Sequence, residues 1–145
     1  MPPIPRRARY FLKTAIWFLV LGVLTGLHMS SAKHLDAGGM HWPYVVAHTH
    51  LILIGFFLMG TMGSAIWLLP SPPPGSRYRP GVDVGVYLVL ALGTVTRFTL
   101  EVSLGYRDSR AADVTVFVVS CLQALAMFLF FWNLWPRIRG PLAGE

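Results

Sequence analysis

The chain alternates between long apolar stretches and short polar connections. Four apolar stretches cover about residues 10–32, 43–69, 82–104 and 111–135. Each is long enough for the roughly 20 apolar residues that a membrane-spanning helix needs. The run from Pro70 to Gly75 interrupts the pattern after the second stretch, because proline cannot continue a helix. The pattern predicts an all-α integral membrane protein, an up-down four-helix bundle in which residues 1–145 form a single transmembrane domain.

Composition supports a protein that lies in lipid rather than in water. Apolar residue types make up 54% of the chain, charged types only 12%, and the mean hydropathy is +0.57. This balance excludes most soluble enzymes and disordered tails, which need more polar residues. No Ser-His-Asp or phosphate-loop pattern is present. Cys121 is the only cysteine, so a metal site would use His, Met or carboxylate ligands.

The first apolar stretch also has features of a signal peptide. Arg6, Arg7 and Arg9 precede it, and small residues occupy positions 30–32 near its end. Its apolar part is longer than the 7–15 residues usual in a signal peptide. We therefore expect an uncleaved helix that stays in the membrane.

Basic residues are distributed unequally between the two ends of the predicted helices. Eight fall on one side and three on the other. The first group is Arg6, Arg7, Arg9, Lys13, Arg77, Arg79, Arg137 and Arg139, and the second is Lys33, Arg107 and Arg110. Because basic residues favour the cytoplasmic side, both termini are predicted to be cytoplasmic. The net charge of +6 is thus explained by topology rather than by nucleic-acid binding.

All the histidines occur in the first 50 residues. They are His28, His34, His41, His48 and His50, and by the predicted topology all lie at or near the outer side. Since the first two helices run antiparallel, His28, His48 and His50 reach a similar depth. Neutral imidazole binds heme iron, copper or zinc, although an interfacial histidine can also serve only as a hydrogen-bonding group. Residues two apart on a helix point about 200° apart, so His48 and His50 cannot both bind one iron.

Other polar and small residues inside the apolar stretches have predicted roles. Arg97 and Glu101 are four apart on the third helix, where they can pair and should face the bundle interior. Arg97 would either neutralise a heme propionate or form a structural ion pair with Glu101. Gln123 and Asn133 are predicted to form hydrogen bonds between helices. The glycines of the second helix, at positions 55, 60 and 63, are predicted to allow close helix packing.

The second helix resembles a known one. Its run His48-Thr49-His50-Leu51-Ile52-Leu53-Ile54-Gly55-Phe56, with Gly63 and the ending Trp67-Leu68-Leu69-Pro70, is similar to the second helix of heme-copper oxidase subunit I. Within that superfamily, the helix looks most like the branch of bacterial nitric oxide reductases and C-family cytochrome oxidases. It is closer still to small four-helix bacterial proteins labelled cytochrome oxidase subunit I-like, whose preceding helix ends in Gly-x-x-Met, here Gly26-Leu27-His28-Met29. The resemblance covers about residues 10–70.

The resemblance implies a heme ligand but not a complete oxidase site. His48 matches the axial ligand of the low-spin heme, and His50 stands where many relatives carry Asn. No histidine follows His50, so the later ligands of a heme-copper centre are missing from this chain. A redox role is therefore expected rather than catalysis.

These observations together predict a heme b protein of the bacterial cytoplasmic membrane. His48 is predicted as one axial ligand, His28 as the other and His50 as the reserve, with Arg97 and Glu101 near the cofactor. Electron transfer, or gas or heme sensing, beside a respiratory or denitrification complex is the expected function.

Two alternatives stay open. The histidines, with nearby methionines, would hold copper or zinc for delivery to an oxidase. Otherwise the chain is a cofactor-free accessory or assembly subunit of a respiratory complex. A homo-oligomer is expected in all three cases.

Overall fold

The computed structural model of the protein describes residues 3–38 and 41–138, and in this part of the chain the fold is all-helical. The four long helices are α1 (Arg6–His34), α2 (Trp42–Leu68), α3 (Pro80–Leu104) and α4 (Arg110–Leu134), and a 3-10 turn (Trp135–Arg137) follows α4. Each is long and apolar enough to cross a membrane. The predicted all-α membrane fold is confirmed, and α1 begins four residues earlier than the apolar pattern indicates.

Local sequence explains where the helices begin and end. Proline occupies the first turn of both α2 and α3, at Pro43 and Pro80, where its missing N–H is not needed. The α4 helix begins after Ser109, whose hydroxyl accepts a hydrogen bond from the Ala112 amide, as an N-cap residue does. The α2 helix ends at Leu68, two residues before Pro70.

The middle of α2 departs from regular α-helical geometry. Residues Leu51–Leu58 form a π-helical segment, in which the turns are wider, between α-helical Trp42–His50 and Met59–Leu68. Segments of this kind are rare and occur frequently at functional sites. This one begins immediately after His50, so His48 and His50 lie on the last regular turn before the π-helical segment.

Close packing of α1 on α2 depends on two of the predicted glycines. A Cβ placed on Gly55 would lie 2.8 Å from Cβ of Phe18, and one on Gly63 would lie 2.9 Å from Cβ of Phe11. A Cβ on Gly60 would be 3.8 Å from Ala15, which is ordinary contact. Gly55 and Gly63 therefore act as packing positions, since only a glycine lets the two backbones approach this closely.

Consecutive helices pack against each other, as expected for an up-down bundle. Phe11, Met59, Leu90 and Phe130 are fully buried at the centre. The Gln123 amide donates to the Thr94 hydroxyl at 3.1 Å, which confirms the predicted hydrogen bond between α4 and α3. Many large apolar side chains remain exposed on the outside of the helices, where lipid would cover them.

Candidate cofactor-binding site

His48 and His50 project from α2 toward different neighbours. The His48 ring contacts α1, whereas the His50 ring contacts α3. This is the divergence that a spacing of two residues predicts for a helix. The two histidines therefore belong to separate environments, each with its own set of hydrogen-bond partners.

The His48 ring is fixed against the backbone of α1. Its Nδ1 lies 2.9 Å from the carbonyl oxygen of Gly22, and since a carbonyl only accepts, Nδ1 carries the proton and donates. A Cβ on Gly26 would lie 3.1 Å from His48 Cε1, so glycine at position 26 makes room for the ring. With Nδ1 occupied in this way, Nε2 is the nitrogen whose lone pair is free to bind a metal.

His50 belongs to a charged cluster with two residues of α3. Its Nδ1 lies 2.9 Å from the Val46 carbonyl oxygen, 3.4 Å from Nη2 of Arg97 and 4.0 Å from Oε2 of Glu101. Arg97 and Glu101 are both buried, and their ion pair is 2.6 Å long. The predicted pairing and the predicted inward orientation of these two residues are thus confirmed. Within the described residues, Glu101 Oε2 accepts no hydrogen bond.

The other described histidines lie near the end of α1 and the beginning of α2. His28 is exposed, and its ring centroid lies 5.5 Å from that of Tyr44. His41 lies 6.4 Å from the Tyr44 ring and 5.8 Å from the Tyr106 ring, and His34 is exposed on the last turn of α1. The Tyr44 hydroxyl donates to that of Tyr106. This aromatic cluster was not predicted from the sequence, because His28 and Tyr106 are distant along the chain from His41 and Tyr44.

The predicted histidine ligands are not gathered into one multidentate site. Within residues 3–38 and 41–138, no group of three or more His, Cys, Asp or Glu side chains is placed to hold a metal ion. Of the methionines considered as soft ligands, Met59 and Met62 are buried in the core, and Met40 lies outside the described residues.

A second polar cluster, which sequence reasoning missed, lies at the opposite end of the bundle. We call it the Asp83 network: Arg7, Tyr78, Asp83, Asn133 and Arg137. Asp83 is completely buried. It accepts from Arg7 Nη1 at 2.6 Å, from Asn133 Nδ2 at 3.0 Å and from the Tyr78 hydroxyl. The carboxylate therefore connects α1, α3 and α4.

Arg137 extends the Asp83 network to α2. Its guanidinium donates to the carbonyl oxygens of Ile66, Leu69 and Pro70 at 2.9, 2.6 and 2.9 Å. These carbonyls have no partner in α2 itself, because the helix ends there. Burial raises the pKa of Tyr78, and its hydrogen bond to Asp83 raises it further. Tyr78 therefore remains a neutral donor between Asp83 and the two arginines.

Comparison of the chain with protein-family models, with curated proteins and with solved structures finds no match. The likeness of α2 to the second helix of oxidase subunit I therefore stays a prediction from the sequence. The four apolar helices identify a multi-pass membrane protein. Any narrower statement of function depends on the geometry around His48.

Proposed function

We propose that this protein binds a b-type heme through His48 and serves in electron transfer or gas sensing beside a respiratory or denitrification complex. The observation that carries the proposal is the hydrogen bond between His48 Nδ1 and the Gly22 carbonyl oxygen, 2.9 Å long. Metal-ligating histidines usually donate their second ring nitrogen in this way, which fixes the tautomer and the ring orientation. The His48 ring therefore already has the tautomer and the fixed orientation that an axial heme ligand needs.

The surroundings of His48 also fit a ligand better than a core residue. His48 is only partly buried, as expected for a side chain that must stay accessible to a cofactor. His48 lies six residues after Trp42, where α2 begins, which is about 9 Å into the helix at 1.5 Å per residue. This depth suits a cofactor with an apolar ring and charged propionates close to the membrane surface.

Two versions of the proposal differ in whether the heme iron has a second axial ligand from this chain. In the first, His28 is the second ligand, and a heme with two histidines would exchange electrons without an open position. In the second, His48 is the only ligand, and nitric oxide or oxygen would have access to the iron. The His28 ring is exposed and its centroid lies 5.5 Å from that of Tyr44. The His50 Nδ1 lies 2.9 Å from the Val46 carbonyl oxygen, to which it donates, so the second version needs no rearrangement of either ring.

Of the two roles predicted for Arg97, the ion pair with Glu101 is the one that the structure supports. Its charge is already compensated by Glu101 at 2.6 Å within the bundle. A heme propionate would have to share or replace this partner. We therefore assign the ion pair to fixing α3 beside His50, and assign heme binding to His48. The excess of basic residues on the side of the two termini supports cytoplasmic ends, and in that orientation His48 would lie near the outer face of a bacterial cytoplasmic membrane.

The test is a dithionite-reduced minus oxidised visible spectrum of detergent-purified protein, with heme quantified per chain. We expect sharp b-type bands in wild type and their loss in His48→Ala. His34→Ala removes an exposed histidine at the end of α1 and serves as the matched control, which should retain the wild-type spectrum. Altered bands in His28→Ala would support two-histidine ligation, and unchanged bands would support His48 alone.

The proposal fails if protein produced with ample heme shows no b-type bands, or if His48→Ala keeps them. If the bands disappear in His50→Ala and persist in His48→Ala, the heme ligand is His50, on the other side of α2. In the absence of heme, metal analysis of the same samples distinguishes a copper or zinc protein from a cofactor-free subunit.

Gly26→Val tests the positioning of His48 without removing the imidazole. The added side chain would meet His48 Cε1 and push the ring away from the Gly22 carbonyl. Loss of such a supporting contact is expected to weaken heme affinity by roughly tenfold or more. Gly85→Val is the control, because a Cβ on Gly85 meets nothing within 4 Å. Equal heme affinity in the two variants, measured by heme titration, would contradict the positioning role.

A further inference from the structure

Three basic side chains line one exposed face at the start of α1. Arg6, Arg9 and Lys13 follow each other at spacings of three and four, which places them on the same side of a helix. All three are exposed, and together with Tyr10 they line a shallow cavity of about 200 Å³. We call these four residues the basic face of α1.

Within residues 3–38 and 41–138, no acidic side chain forms an ion pair with the basic face. In the part of the chain that the structure describes, the acidic partners in ion pairs are Asp83 and Glu101, and their basic partners are Arg7, Arg97 and His50. Arg7, next to Arg6, turns inward to Asp83. Arg6 donates to the Tyr10 hydroxyl, at 2.8 Å. The basic face therefore presents three positive charges outward at the membrane boundary.

The same side of α1 continues as an apolar and aromatic stripe. Trp17 is 69% exposed and Leu24 is 58% exposed, and both lie on the side of the helix that carries Arg6 and Lys13, at 100° per residue. This side is turned away from α2, which contacts Phe11 and Phe18 instead. A positive cavity above an apolar stripe matches the two parts of a phospholipid, which are a charged headgroup and acyl chains.

We propose that the basic face of α1 binds the phosphate headgroup of an anionic phospholipid, with the acyl chains along Trp17 and Leu24. Charge complementarity selects this occupant. An anionic lipid carries a net negative charge, whereas a zwitterionic lipid offers a phosphate that its own cation already compensates. Basic residues near a membrane surface attract anionic lipid, and each one adds to the attraction. The inference does not depend on heme binding.

The experiment measures lipids retained by the full-length protein in native mass spectrometry, from micelles with equal amounts of phosphatidylglycerol and phosphatidylcholine. Wild type is expected to retain phosphatidylglycerol preferentially. The triple variant Arg6→Gln, Arg9→Gln, Lys13→Gln is expected to lose affinity for it on the order of a hundredfold. The charge-preserving variant Arg6→Lys, Arg9→Lys, Lys13→Arg should bind like wild type.

A matched control removes three charges from the other end of the bundle. Lys33, Arg107 and Arg110 are also exposed, and their replacement by Gln should leave phosphatidylglycerol retention unchanged. Equal loss in this control would mean that net charge alone attracts the lipid, and would overturn the proposal. Wild type retaining both lipids equally would overturn it even if the triple variant failed to fold. Displacement of the lipid by millimolar inorganic phosphate would show an anion site with no preference for lipid, and would also contradict it.

Discussion

Asp83→Ala is expected to lower the free energy of unfolding by about 1–3 kcal/mol, the cost of leaving buried hydrogen-bond donors without their acceptor. Asp83 is completely buried and accepts hydrogen bonds from Arg7, Tyr78 and Asn133. Without the carboxylate, the Arg7 charge and the Asn133 amide lose their shared partner. The measurement is the unfolding midpoint in a sodium dodecyl sulfate titration, followed by far-ultraviolet circular dichroism.

Asp113→Ala is the matched control for this substitution. Asp113 also occupies the first turn of a membrane-spanning helix, but it is exposed. Its removal should cost less than about 1 kcal/mol, which is the usual effect of a charge near a helix N-terminus. Similar midpoints for the two alanine variants would show that the Asp83 network does not stabilise the bundle.

Gly55→Ala is expected to cost about 1–3 kcal/mol, which is typical for adding a methyl group to a tightly packed interior. The new methyl would lie 2.8 Å from Phe18 Cβ. This atom is attached to the α1 backbone and cannot move aside as the end of a flexible side chain can. The helices must therefore separate, and the same detergent titration should record a lower midpoint.

The glycines of α2 provide a graded series for this prediction. Gly63→Ala should behave like Gly55→Ala, since its methyl would lie 2.9 Å from Phe11 Cβ. Gly60→Ala should be close to neutral, because its methyl would lie 3.8 Å from Ala15. A series in which all three substitutions have the same effect would indicate loss of backbone flexibility rather than a steric conflict between α1 and α2.

The elements that sequence reasoning predicted correctly depend on short-range patterns. Four apolar stretches are sufficient to locate α1 to α4, because lipid requires long, internally hydrogen-bonded segments. The pairing of Arg97 with Glu101 follows from a spacing of four, and the divergence of His48 from His50 follows from a spacing of two. Each of these relations is contained within one helix, where geometry is almost fixed.

The parts that the sequence did not reveal depend on contacts between distant residues. Asp83 meets Arg7 and Asn133, which are 76 and 50 positions away, so no local spacing indicates the network. One signal was available in the sequence. Asp83 is an acidic residue in the first turn of an apolar helix, and this turn lies at the same end of the bundle as Arg7 and Arg137. The hydrogen bond of His48 to Gly22 is equally nonlocal, since it joins a side chain to a backbone carbonyl of another helix.

The orientation of His48 and His50 depends on the number of residues in the π-helical segment that follows them. The angle between the two halves of α2 depends on how many residues form these wide turns, so deleting one residue from Leu51–Leu58 would rotate the N-terminal half relative to the C-terminal half. The contact of Gly63 with Phe11 holds the other half against α1, and His48 would turn away from Gly22. Exchanges among Leu, Ile and Phe in this segment preserve the register, whereas a single insertion or deletion does not. The site is therefore more sensitive to changes in chain length than to changes in side-chain identity between His50 and Met59.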